Sequence, residues 1–117
     1  MIAIRPELRI WVASRPVDFR SGLDRLVALV AAMLQADAFC GDLYVFRSKR
    51  ADRVKILMWD GTGLVLYHKR LEQGRFVWPP IREGSVGLSS AQLAMLLDGL
   101  DWTRVIPPSV QRPLRAA

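Results

Sequence analysis

Leu43-Tyr44-Val45-Phe46-Arg47-Ser48-Lys49-Arg50-Ala51-Asp52-Arg53-Val54-Lys55-Ile56-Leu57-Met58-Trp59-Asp60-Gly61-Thr62-Gly63-Leu64-Val65-Leu66-Tyr67 alternates short apolar runs with polar turns, and this stretch decides the fold class. Each of the runs at 43–46, 53–59 and 64–67 carries β-branched and aromatic side chains, which fits pleated strands. Asp60-Gly61 between two of them is a hairpin signal, because both residues tolerate the positive φ of a tight turn. The basic stretch 48–52 closes the other pair. A further run, Arg75-Phe76-Val77-Trp78, follows Lys69-Arg70-Leu71-Glu72-Gln73-Gly74 and reads as another strand of an antiparallel meander. In the 53–59 strand, Val54, Ile56 and Met58 share one face and Arg53, Lys55, Leu57 and Trp59 the other. The first face is expected to pack on a helix.

That helix lies upstream. Leu8–Ala13 reads as a strand closed by Ser14-Arg15-Pro16. Ser21 then stands where an N-cap belongs, with Asp24 three residues on. Leu23, Leu26, Val27, Val30, Met33 and Leu34 form one apolar stripe opposite Asp24, Ala28, Ala32 and Gln35, predicting a helix over 21–36. Downstream of Pro79-Pro80, residues 85–88 suggest a last short strand. Ser89 and Gln92 have capping-box spacing, and Leu93, Leu96, Leu97 and Leu100 form a second stripe over 90–98 ending at Gly99. The expectation is one α+β domain over 1–103: an antiparallel sheet of about five short strands, one long helix packed on it and a short C-terminal helix. Pro107, Pro108 and Pro113 make 104–117 a proline-rich basic tail, expected to be disordered.

Length and composition agree with a single folded unit. The chain has 117 residues, 51% of them apolar and 24% charged, a globular rather than disordered balance. No run of roughly 18 apolar residues offers a membrane span, and the opening residues lack the pattern of a secretion signal. With one cysteine, Cys40, there is no internal disulfide, so a cytoplasmic location and no membrane partner are expected.

The net charge is +6, and most of it is local. Between 47 and 75 stand Arg47, Lys49, Arg50, Arg53, Lys55, Lys69, Arg70 and Arg75 against Asp52, Asp60 and Glu72. In a meander, alternate turns fall at the same end of the sheet, so the two basic groups are expected to converge there. Such clustering suits phosphates, and these eight are the candidate nucleic-acid-binding residues. Tyr44, Trp59, Tyr67 and Trp78 are interleaved and would stack on bases if exposed. The alternative reading is a solvated surface over core aromatics.

Catalytic chemistry finds little to stand on. His68 and Cys40 are the single members of their kinds and have no metal-ligand spacing. Among Asp18, Asp24, Asp60, Asp98 and Asp101, only Asp18 lacks an obvious structural task, and one acid makes no two-metal site. Asp60-Gly61-Thr62-Gly63 lacks the Lys-Ser/Thr of a phosphate loop. No enzyme, no metal and no cofactor are expected.

Several segments carry a family resemblance. They are Asp18-Phe19-Arg20-Ser21-Gly22-Leu23-Asp24, Gly41-Asp42-Leu43-Tyr44-Val45-Phe46-Arg47, and the block from Lys49 through Lys55-Ile56-Leu57-Met58-Trp59-Asp60-Gly61-Thr62-Gly63-Leu64. Lys69-Arg70-Leu71-Glu72-Gln73-Gly74-Arg75-Phe76-Val77-Trp78-Pro79 and Leu88-Ser89-Ser90-Ala91-Gln92-Leu93 with Leu96-Leu97-Asp98-Gly99-Leu100-Asp101-Trp102 complete the set. The sequence resembles the TnpB-type (Orf2-like) accessory proteins of IS-sixty-six insertion sequences, from about residue 8 to 102. Phe19, where Met is expected, and His68 depart from the pattern. The resemblance implies a protein encoded beside a separate, larger transposase that carries the catalytic acids. It brings no catalytic residue, and it is distinct from the RNA-guided nucleases that share the TnpB name. The function expected is a non-catalytic accessory role in transposition through nucleic-acid binding. The second reading is an assembly factor docking on the transposase without touching DNA. The partners implied are element-end DNA, the transposase and companion element-encoded proteins.

Overall fold

The computed structural model describes residues 8–104. The strands are β1 (Ile10–Ala13), β2 (Leu43–Arg47), β3 (Arg53–Trp59), β4 (Leu64–Arg70) and β5 (Ser85–Leu88). Helix α1 (Leu23–Leu34) lies between β1 and β2, and α2 (Ser90–Leu97) follows β5. Short 3-10 turns occupy Ala38–Cys40 and Trp102–Arg104. The α+β class with five strands and two helices stands as expected. The expectations for the tail at 105–117 fall outside the described residues.

The sheet is mixed rather than purely antiparallel, in the order β4-β3-β2-β1-β5. Strands β2, β3 and β4 form the expected meander, with Tyr44 opposite Leu57 and Ile56 opposite Tyr67. The correction concerns β1, which pairs in parallel with β2, Ile10 opposite Leu43 and Val12 opposite Val45. A helix between two strands makes a crossover that returns the chain to its starting end, so the strands run the same way. Strand β5 then closes antiparallel on β1, Ala13 opposite Ser85.

A second correction concerns 75–78, which form no strand. The Phe76 amide donates to Ala51 O at 2.8 Å and the Trp78 indole to the same oxygen at 3.1 Å. Leu71 N donates to Asp52 O at 2.9 Å. These residues therefore fold over the β2–β3 turn, and Phe76 fills the core from there. Among the described residues the outer edge of β4 has no partner strand, and β4 itself runs on to Arg70, past the expected end at Tyr67.

The alternation of β3 holds, but the faces meet different partners from those expected. Val54, Ile56 and Met58 pack with Phe76, Trp102 and the Leu93 and Leu96 side chains of α2. Helix α1 covers the opposite face, where Leu26 and Val30 meet Ala13, Tyr44, Phe46 and Leu57. A sheet covered on both sides explains why β3 is buried through its whole interior. Ser21 does not cap α1. Gly22 takes that position without a side-chain bond, and Leu26 N donates to its carbonyl. At α2 the capping box of Ser89 and Gln92 forms as expected, and Gly99 follows the helix with φ of 74°. Leu100, assigned to the apolar stripe, is exposed.

Candidate nucleic-acid interface

The β2–β3 turn is locked from inside. Ser48 Oγ accepts from Arg53 N at 3.2 Å and donates to Asp52 Oδ1 at 3.3 Å, while Ala51 N donates to Ser48 O at 3.1 Å. Ala51 sits at φ of 66°, a left-handed conformation that costs an L-residue about 1–2 kcal/mol. Phe76 and Trp78 hold it there by converging on its carbonyl. With the turn's own polar groups so occupied, the Lys49 and Arg50 side chains stand outward and exposed.

Among the described residues, two depressions flank this turn and a third lies beside it on β3 and β4. One of about 440 Å³ lies between residues 16–20 and the turn, with Arg20, Lys49, Arg50 and Arg53 in its walls beside Asp18 and Asp52. A second, about 480 Å³, is lined by Arg47, Lys49, Arg50, Gly74 and Arg75 among others. Lys49 and Arg50 form the ridge between the two. A third, about 310 Å³, holds Arg53, His68, Arg70 and Glu72. The two basic groups thus converge at one end of the sheet, where Arg53 is the direct cross-strand partner of Arg70.

The eight candidate cations separate into three environments. Lys49, Arg50, Arg53 and Arg75 make no ion pair among the described residues. Arg47 and Arg70 are partly engaged: Arg47 lies 5.6 Å over the Trp78 ring and is half-buried, and Arg70 reaches Glu72 at 3.3 Å. Burial pulls the Arg47 guanidinium below the ordinary arginine value. Lys55 and Lys69 serve the fold. The Lys55 ammonium donates to Phe19 O at 2.9 Å and Ser21 O at 3.0 Å and lies 5.1 Å over the Phe19 ring. Burial, then the Arg53 charge, lowers its pKa. Lys69, on the other face, donates to Leu97 O at 2.7 Å and so closes the end of α2.

Arg20 and His68, which are not among the eight candidate cations, also border these depressions. Arg20 lies on the wall of the first depression, held by Asp18 at 2.8 Å. That contact gives Asp18 the structural task it lacked: it accepts from the Arg20 guanidinium and from Arg20 N. These bonds hold its carboxyl at about 2. His68 lies edge-on to Phe19 at 5.6 Å and is exposed. An Asp-x-Arg step ahead of a helix was the available signal for the first; nothing local pointed to the second. The interleaved aromatics are occupied within the fold. Tyr44 is buried, Trp78 bonds Ala51, and Trp59 packs edge-on against Phe39 at 5.4 Å. Among the described residues no three of His, Cys, Asp and Glu gather as metal ligands, and no helix is long and apolar enough to cross a membrane.

The geometry defines a small α+β domain with a cation-rich rim at one end of a mixed sheet. By sequence, the IS66 Orf2 like protein family matches residues 8–107, and the chain belongs to that family, whose members are accessory proteins of insertion sequences. It is 49% identical to "Uncharacterized protein y4jC" of Sinorhizobium fredii, over the whole of both chains. A second protein of that organism, "Uncharacterized protein y4hO", is 36% identical over 98% of each chain. No solved structure matches significantly.

Proposed function

We propose that this accessory protein acts in the cytoplasm without catalytic activity and assists transposition by gripping the phosphate backbone of element-end DNA with its cationic rim. The observation that carries this reading is the set of four cations, Lys49, Arg50, Arg53 and Arg75, that have no ion-pair partner among the described residues and gather around one turn. Charges held without a carboxylate partner on a fixed backbone are prepared for an external anion, and duplex DNA supplies anions at matching density. Arg47 and Arg70 flank the four. Because the aromatics are occupied, contacts run to phosphates rather than to stacked bases, which favours weakly sequence-selective binding.

Fluorescence anisotropy of a labelled duplex across a salt series tests the reading. Neutralising four phosphates gives a slope of log affinity against log salt near about −3.6. Binding that is absent at low salt, or indifferent to salt, overturns it. In that event docking on the transposase takes its place, for which the open edge of β4 beside Trp59 and the exposed Phe39 is the supporting feature.

A further inference from the structure

The side of the β3–β4 ladder that faces α1 carries an unusual two-by-two arrangement. Arg53 stands opposite Arg70, and Lys55 opposite His68. Directly opposed residues share a face with Cβ atoms about 4.5–5.5 Å apart, and like charges so placed repel. The acids nearby do little to relieve this. Asp18 is taken by Arg20, and Glu72 reaches only Arg70, through a pair whose side chains are 54% and 81% exposed. Lys55 is satisfied by two carbonyls. Arg53 has no ion pair, and His68 has no hydrogen-bond partner among the described residues. Its one ring contact is with Phe19. Between them lies the third depression, at the β4 edge of the sheet, with Arg53, His68, Arg70 and Glu72 on its walls.

We propose that this depression is a phosphate-type oxyanion subsite in which Arg53 and Arg70 grip the anion and His68 joins them as a protonated donor, so that occupancy is tighter at mildly acidic pH. Two guanidiniums offer forked donors to tetrahedral oxygens, and an imidazolium supplies a further N–H from the neighbouring position on the same strand. The groups around His68 set the direction of the pH response. Burial, then Lys55, Arg53 and Arg70, holds its imidazole below the ordinary value. Asp18, which Arg20 holds well below the ordinary carboxylate value, stays ionised across the window in question, and Glu72 borders the same depression. An anion between the arginines offsets the repulsion and raises the imidazole's proton affinity. By linkage, the protonated protein binds that anion more tightly.

The duplex form of this idea rests on the reading above, whereas its free-anion form does not, and two measurements separate them. His68 is the sole histidine, so its ring proton is directly assignable by NMR. Sulfate is the probe because its own charge is constant between about pH 5 and 8. Sulfate is expected to raise the His68 pKa by about one unit, equivalent to about tenfold tighter binding by the protonated form. Arg53→Gln with Arg70→Gln should abolish that rise. No rise, or the same rise in the double variant, overturns the subsite. In the second measurement the duplex salt slope of the wild type should be steeper by about 0.9 at about pH 5.5 than at pH 8, with His68→Gln showing no difference. A positive sulfate result with a pH-independent duplex slope supports the subsite for free phosphate groups and overturns its use on the DNA backbone. If the duplex does not bind at all, the proposed function fails while the sulfate titration still decides the subsite. His68 is exposed, so an unchanged melt of His68→Gln is the expected control.

Discussion

Lys55 shows how one residue type divides into two tasks on a single strand. Its ammonium bridges two carbonyls ahead of α1, whereas Lys49, a few residues earlier, has no ion-pair partner among the described residues. Lys55→Ala is therefore expected to cost about 2–3 kcal/mol, because buried charge-assisted bonds are lost and their acceptors left short. A urea titration measures it, and a loss under about 0.5 kcal/mol, the range of surface changes, would contradict the assignment. Lys49→Ala with Arg50→Ala should leave stability almost unchanged and make the duplex salt slope shallower by about 1.8, two contacts' worth. An unchanged slope would remove these two residues from the interface. Asp18 supplies a pH signature of its own. Its folded pKa lies below its unfolded one, so its contribution is present above the unfolded value and is lost as pH falls toward the folded value. Stability should decline from about pH 4 to about pH 2, and Asp18→Asn should make that decline less steep. Urea midpoints across the window would expose an error, since equal slopes in both proteins would deny the bond to Arg20.

At the scale of elements, the two faces of β3 give a paired test. Ile56→Ala and Leu57→Ala should each cost about 2–5 kcal/mol, since both side chains are buried. Hydrogen exchange should place the loosening differently, at α2 for Ile56 and at α1 for Leu57. Loosening of α1 by Ile56→Ala would restore the arrangement expected from sequence. The alternation of β3 was legible because it needs only a period of two, and the Asp60–Gly63 turn because its chemistry is local: Asp60 Oδ1 accepts from Thr62 N and Gly63 N, both at 2.9 Å. Which helix covers which face was not legible, since both helices carry leucine-rich stripes and either fits an apolar sheet face. Phe76-Val77-Trp78 carried strand propensity, yet an acceptor far back in the chain, Ala51 O, claimed its donors. The cationic cluster was visible as a count. Its division was hidden, because the Phe19, Ser21 and Leu97 carbonyls that engage two of its lysines are distant in sequence.

For the whole molecule, the consequence of the closing strand lies in time rather than in space. Strand β1 sits between β2 and β5, so Ile10 reaches its full set of neighbours only when Leu88 arrives from far along the chain. The hairpins β2–β3 and β3–β4 need only short loops. Loop closure favours nearby contacts, so the meander is expected to organise first and β1 to wait, with one flank unpaired, until β5 docks. Truncations at β3–β4 contacts such as Ile56→Val should slow refolding, while Val12→Ala on β1 should chiefly speed unfolding. Stopped-flow chevrons distinguish the two, and a Val12 effect confined to the refolding arm would place β1 in the nucleus instead. On a ribosome the same geometry means that β1, made before the other described strands, is among the last to be completed, and its bare edge is the segment exposed to mispairing in the interval.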